Sequence, residues 1–188
     1  MADKSARYNA DAYMTATEEA ELVEKARGGD RDALGLLWDE VSPKLFGYLV
    51  NVCRDKTVAE DVFQNTWLKA VEALPKYQQR GIRFSAWLFA IARNECRQHW
   101  RKANREVGLE TAAEPVGDDR ATLQSKILIE QLLQHLSEDD RELLRLRYIA
   151  DLSTLDIARV LQSNSVAVRV RISRALVRAR KLVATQTI

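Results

Sequence analysis

Residues 165–182 read SVAVRVRISRALVRARKL. Val168, Ile172, Ala175, Ala179 and Leu182 recur at helical spacing, and Arg169, Arg171, Arg174, Arg178, Arg180 and Lys181 cover the rest without a single acid. A helix with one apolar stripe and an otherwise cationic surface lies against a domain on one side and a polyanion on the other. A shorter helical pattern, Thr154 to Leu161, precedes it, joined by the polar stretch Gln162-Ser163-Asn164. Two helices, a tight turn and a basic second helix make a helix-turn-helix DNA reader. Val168, Ile172 and Ala175 then point to the core. Ser165 opens the helix, and Val166, Arg169, Val170 and Ser173 project toward a major groove. There an arginine forks onto guanine and a valine touches a thymine methyl. Arg171, Arg174 and Arg178 sit at the flanks, where phosphates lie. A coiled-coil reading is weaker, because no long heptad continues the pattern.

Upstream, the chain reads as helix nearly throughout. Glycine and proline are scarce and no stretch alternates as a strand. Thr15 with Glu18 forms a capping box for a first helix that ends at Gly28-Gly29. Asp30 caps a second, which Ser42-Pro43 restarts or kinks before Leu45, Phe46, Tyr48, Leu49 and Val52. Thr57 with Glu60 caps a third helix running to Leu74 and Pro75, and Ser85 caps a fourth reaching about Lys102. Asn104 to Thr122 holds Gly108, Pro115 and Gly117 and almost no large apolar side chain, which is the composition of a flexible linker. Leu123 to Leu136 is again helical, and Ser137, Ser153 and Asn164 are caps for the helices that follow. The predicted fold is all-α. A flexible tail (1–17) leads into a helical domain (18–102), a flexible linker (103–122) and a helix-turn-helix domain (123–188).

Charge is distributed unevenly along a chain of net charge +2. Acids outnumber bases as far as Leu74. From Pro75 to Val107, Lys76, Arg80, Arg83, Arg93, Arg97, Arg101, Lys102 and Arg105 face only Glu95 and Glu106. With the reader helix this makes two separated cationic blocks, suited to two contacts on one long polyanion. The first contains a polar glycine loop, Tyr77 to Arg83, with Gln79, Arg80 and Arg83. In the helix after it, Arg93, Asn94, Arg97, Gln98, Trp100 and Arg101 lie opposite the apolar Trp87, Leu88, Ile91 and Ala92. Arginines hold phosphates while amides and aromatics contact unpaired bases. Trp100 fits either that role or the core. On the third helix Asp61, Gln64, Asn65 and Leu68 share a face at i, i+3, i+4 and i+7, away from the stripe of Val62, Phe63, Thr66, Trp67, Ala70 and Leu74. That face suits a basic, partly apolar partner helix, and it equally fits ordinary solvated surface.

Several function classes are excluded. No phosphate-binding glycine loop, nucleophile elbow or metal-binding histidine pair occurs, so neither enzyme chemistry nor a cofactor is implied. Cys53 and Cys96 are too few for a disulfide framework, and Cys96-Arg97-Gln98-His99 is half a zinc site without a second half. No apolar run approaches a membrane span and Met1 to Thr17 lacks a secretory hydrophobic segment, so a cytoplasmic protein is expected.

These motifs together resemble bacterial RNA polymerase sigma factors of the sigma-70 family, extracytoplasmic-function type, from Glu21 to Leu182. Ala59-Glu60-Asp61-Val62-Phe63-Gln64-Asn65-Thr66-Trp67 is similar to the core-polymerase-binding motif. Phe84-Ser85-Ala86-Trp87-Leu88 with Ile91-Ala92-Arg93-Asn94 is similar to the promoter-melting segment. Leu152-Ser153, Ile157-Ala158, Val168-Arg169 and Ser173-Arg174-Ala175 are similar to the second-domain reader. The resemblance implies that Glu60, Asp61, Gln64, Asn65 and Leu68 bind core RNA polymerase at the clamp helices of its largest subunit. It implies that Gln79, Arg80, Arg83, Arg93, Asn94, Arg97, Trp100 and Arg101 act on the minus-ten element of promoter DNA. Ser165, Val166, Arg169, Val170, Arg171, Ser173, Arg174 and Arg178 would read the minus-thirty-five element, with the second domain on the polymerase flap. It implies no membrane insertion, residence at the nucleoid once in holoenzyme, and, for many members, an anti-sigma partner. The alternative is a stand-alone helix-turn-helix regulator acting as a dimer on an operator; a polymerase adaptor without DNA contact is a third reading. The sequence departs from the family at the reader's turn. Gln162 replaces a usual glycine, Ser163 an apolar residue, and Val166-Ala167 a common glycine-threonine pair. A residue other than glycine enters a left-handed turn at a cost of roughly 1 kcal/mol.

Overall fold

The structure, a computed structural model, describes residues 14–78, 81–106 and 136–186. They form seven α-helices: α1 (Ala16–Arg27), α2 (Arg31–Cys53), α3 (Lys56–Ala73), α4 (Phe84–Glu106), α5 (Glu138–Tyr148), α6 (Thr154–Val160) and α7 (Ser165–Gln186). A single 3₁₀ turn, Leu74–Lys76, follows α3. Among the described residues there is no strand, and the all-α reading holds, with two helical parts of which the second is a helix-turn-helix. The tail as far as residue 13, Gln79, Arg80, and residues 107–135, with most of the expected linker and of the expected Leu123–Leu136 helix, lie outside the described residues.

Most helix starts follow their caps. Thr15 and Glu18 exchange reciprocal bonds, Glu18 N–H to Thr15 Oγ1 at 3.2 Å and Thr15 N–H to Glu18 Oε2 at 2.7 Å. The Thr15 backbone N–H, and then its hydroxyl, hold the Glu18 carboxyl below its ordinary range. Asp30 caps α2 through Asp32 and Ala33 N–H, Ser137 caps α5, and Ser153 caps α6. Asn164 Oδ1 takes the N–H groups of Val166 and Ala167 and starts α7.

Four details differ from expectation. The cap of α3 is Asp55, which accepts from Thr57 and Val58 N–H at 2.8 and 3.1 Å. A carboxylate one residue ahead of the helix outcompetes the Thr57 hydroxyl inside it. Pro43 neither ends nor restarts α2, which is a single 23-residue helix. Burial of Leu37, Val41, Leu45 and Leu49 on both sides of Pro43 outweighs the backbone bond it removes. Ser85 lies inside α4 rather than capping it, and its N–H donates to Glu19 Oε1 of α1 at 3.3 Å. Glu19 is almost fully buried and also pairs with Arg83 at 2.9 Å, so a carboxylate from another helix serves the α4 N-terminus. Finally, α4 continues to Glu106, past Lys102.

Tyr48, Phe84, Phe89, Leu37, Leu45, Leu49 and Leu88 fill the first module, and Leu143, Leu146, Ile157 and Val168 the second. These side chains belong to one continuous apolar cluster that crosses from α2 and α4 into α5 and α6. A smaller cluster of Leu136, Leu144 and Ala175 ties α5 to α7. Close approach of α2 and α5 occurs at Gly47, where a Cβ would sit 3.6 Å from the Ile149 side chain. The second module therefore docks on the first through apolar burial, at roughly 25 cal/mol for each Å² removed from water.

Gln162 adopts φ +52° at the reader's turn, the left-handed conformation that the family's glycine would favour. Its replacement by glycine relieves the Cβ strain but adds freedom to the unfolded chain. We expect Gln162→Gly to raise stability by up to about 1 kcal/mol in urea unfolding, because the strain relieved outweighs the freedom added. A loss of stability would show that the turn carries no strain.

Candidate nucleic-acid and protein interfaces

The reader helix divides by face. Val168 and Ala175 are fully buried and Ile172 nearly so, whereas Val166 is 65% and Val170 42% exposed. Arg169, Ser173, Arg174 and Arg178 are exposed with them, and Ser165 and Arg171 are half-buried. An apolar pair flanking an arginine thus stands outward in a region lined by further arginines. Leu155 of α6, 53% exposed, also faces out and was missed in the sequence. Its neighbours Ile157 and Ala158 are apolar as well, so periodicity alone did not separate it from the core.

Two flank arginines are engaged within the chain. Arg171 Nη2 lies 3.3 Å from Asp139 Oδ2, and Arg178 Nη2 donates to Asp140 Oδ2. No acid lies on α7 itself, and the two partners, Asp139 and Asp140, are on its neighbour α5. That pairing depends on tertiary contact between residues more than thirty apart and left no signal in local sequence.

The second basic block shows the same arrangement. Asn94, Arg97, Trp100 and Arg101 are exposed along α4 and Arg93 is half-buried; Gln79 and Arg80 lie outside the described residues. Trp100, 39% exposed, is not a core residue. Trp87 is half-buried, its ring 4.8 Å from Tyr77 and 5.6 Å from Phe84. Arg83 is held by Glu19, and Arg93 Nε donates to Glu142 Oε1 at 3.2 Å. The same Glu142 oxygen accepts from the buried Tyr48 hydroxyl at 2.7 Å. Burial, then the Glu142 charge, pushes the Tyr48 phenol well above its ordinary value, so it remains a donor. A cleft between α4 and α5 is lined by Arg93, Arg97 and Trp100 on one side and Glu138, Asp139 and Glu142 on the other. Gly81, at φ +69°, sets the loop ahead of α4 so that a Cβ there would meet Arg159 of α6 at 3.2 Å.

On α3, Glu60, Asp61, Gln64, Asn65 and Leu68 are all exposed, Leu68 at 61%. Val71, three residues beyond Leu68, is 45% exposed and extends the apolar part of this surface. It was missed, although its i+3 spacing from Leu68 was visible. Beneath lies an aromatic layer, with Trp38 at 4.5 Å from Trp67 and 5.4 Å from Phe63. Among the described residues no group of acids, cysteines and histidines could hold a metal, and no helix is long and apolar enough to cross a membrane.

A family profile described as Sigma-70 region 2 matches residues 37–106, and one described as Sigma-70, region 4 matches 126–178. The chain is 34% identical over 178 residues to the RNA polymerase sigma-H factor of Pseudomonas aeruginosa, covering 86% of this chain and 92% of that protein. It is 28% identical to the ECF RNA polymerase sigma factor BldN of Streptomyces coelicolor, of whose length it spans 60%. In solved structures it is similar to the sigma factor RpoE in complex with the anti-sigma factor NepR from Bartonella quintana. That match has a TM-score of 0.64 and 28% identity, over 80% of this chain and 96% of that one.

Glu142→Ala strands the Tyr48 hydroxyl in the core, and a buried unpartnered donor costs about 1–3 kcal/mol. We expect that loss in urea unfolding, and we expect Tyr48→Phe added to Glu142→Ala to recover part of it. Simple additivity of the two changes would remove the bond from the account. A raised phenol pKa makes its contribution complete below the unfolded value of 10.0 and lost as pH climbs above it. Tyr77, also raised by burial, acts in the same direction. Stability should therefore fall above about pH 10, less steeply in Tyr48→Phe than in the parent.

Proposed function

Because the chain belongs to the extracytoplasmic-function group of the sigma-70 family of bacterial RNA polymerase sigma factors, we propose that it binds core polymerase and directs it to promoters. In this reading Glu60, Asp61, Gln64, Asn65 and Leu68 dock on the clamp helices of the largest subunit, with the second module on the flap. α7 enters the major groove at the minus-thirty-five element. α4 and the loop before it take the minus-ten element, where the loop from Gln79 to Arg83 captures an unstacked base and Arg93, Arg97 and Arg101 hold phosphates. Asn94 and Trp100 contact bases there. The observation that supports this best is the division of α7, with Val168, Ile172 and Ala175 inward and Val166, Arg169, Val170 and Ser173 outward.

No covalent chemistry is required of this subunit, which is an initiation factor rather than an enzyme. Extruding a base costs a few kcal/mol, comparable to one or two base–aromatic stacks at about 1–3 kcal/mol each. The balance is close, so opening belongs to the holoenzyme and not to the free protein. The described form is closed, with Arg93 of the first module paired to Glu142 of the second. Arg83, Arg171 and Arg178 are paired to carboxylates within their own modules. Polymerase and DNA then compete with Glu142, Asp139 and Asp140 for the same cations.

Run-off transcription with purified core polymerase tests the assignment: a promoter-dependent transcript is expected, and its absence would refute the sigma reading. Asp61→Arg should weaken core binding with the fold intact, and unchanged affinity would take Asp61 out of the interface. Arg169→Ala should cost about 1–3 kcal/mol at one base position of the minus-thirty-five element. A loss spread evenly over all promoter variants would assign it to phosphate instead.

A further inference from the structure

The two cysteines, 43 residues apart, meet where the last turn of α2 crosses α4, with Sγ atoms 3.9 Å apart. They are the chain's whole complement of thiols. Single buried cysteines pack as small hydrophobes, but this pair is in sulfur contact beside an opening. Cys96 lines the cleft between α4 and α5, with Arg93 and Arg97 among its neighbours there. Cys53 is the more accessible of the two, at 9% against 2%.

We propose that Cys53 and Cys96 are an oxidisable dithiol, which a hydroperoxide converts to a disulfide that staples α2 to α4. A disulfide has an S–S length of about 2.05 Å, so the sulfurs must close by about 2 Å. Either sulfur can donate in that contact; with Cys96 as the donor, the bond and then the nearby Arg145 charge lower the Cys53 thiol despite burial and Asp55. The same bond and burial push Cys96 up. Cys53, the more exposed of the two, is the attacking sulfur in this proposal and Cys96 the resolving one.

The Cys53 thiolate attacks the outer oxygen of the hydroperoxide and the O–O bond breaks. The leaving oxygen takes a proton to give water or an alcohol, and Cys53 becomes a sulfenic acid. The Cys96 sulfur then attacks that sulfur, the S–S bond forms, and hydroxide departs with the Cys96 proton as water. The two thiols lose two electrons and the peroxide gains them. The bond closes a loop containing all of α3, so it fixes α4 and the polymerase-facing helix in one frame. In a reducing compartment such a pair is thiol at rest, and disulfides there are transient and redox-sensing.

The test treats the reduced full-length chain with hydrogen peroxide, alkylates the remaining thiols and maps peptides without reduction. The expected result is one linked peptide pair joining Cys53 to Cys96 in monomeric protein. Both thiols should be lost together, with recovery on adding dithiothreitol. In Cys96→Ser the Cys53 sulfenic acid should persist and take up dimedone, and in Cys53→Ser the remaining thiol should react severalfold more slowly. Thiols that stay fully alkylatable, crosslinks only between chains, or sulfinic acid without the linked pair would each overturn the proposal. The wild-type peptide map decides even if a serine variant fails to fold.

Discussion

Glu142 is the residue on which the arrangement of the two modules turns. Tyr48 has no exposed surface, so its hydroxyl must find a partner inside the protein. The first module supplies none, and the partner is a carboxylate on α5. That carboxylate in turn needs a cation, which is Arg93 of α4. One acceptor thus joins α2, α4 and α5, and the apolar cluster shared by both modules closes around it. One feature follows from this docking: the cleft beside Cys96 acquires one cationic and one anionic wall. Within the second module, Asp139 and Asp140 of α5 lie against Arg171 and Arg178 of the reader helix.

The closed arrangement is poised rather than locked. Asp139 is well exposed and Arg171 half-buried, and ion pairs near the surface contribute about 0–1 kcal/mol each. Arg93 and Glu142 are more enclosed and bear more of the load. A DNA backbone offers many phosphates at once and gains from counterion release, so it can displace the exposed pairs first. The inner contact requires that the modules part.

Much of this was legible before any coordinates. The period of 3.6 assigned Val168, Ile172 and Ala175 inward and the arginines outward, and the α3 face emerged from the same count. Caps located α1, α6 and α7 because their bonds join residues two or three apart. What escaped was tertiary. Glu19 serving the N-terminus of α4, and Glu142 serving Tyr48, link residues far apart in sequence, and no local pattern marks them. Pro43 misled because the penalty for a proline is local while the burial that overrides it is not. Gln162 shows the converse, since its left-handed turn followed from its place between two helices despite the missing glycine.

The most direct test of the central claim is a distance between the modules, from probes placed at Glu72 on α3 and Arg180 on α7, two exposed positions outside the proposed interfaces. The account predicts one short distance in the free chain and a longer one when the chain is bound to polymerase and promoter. Glu142→Ala should shift the free chain toward the longer value. The same separation in the free and the promoter-bound states would contradict it.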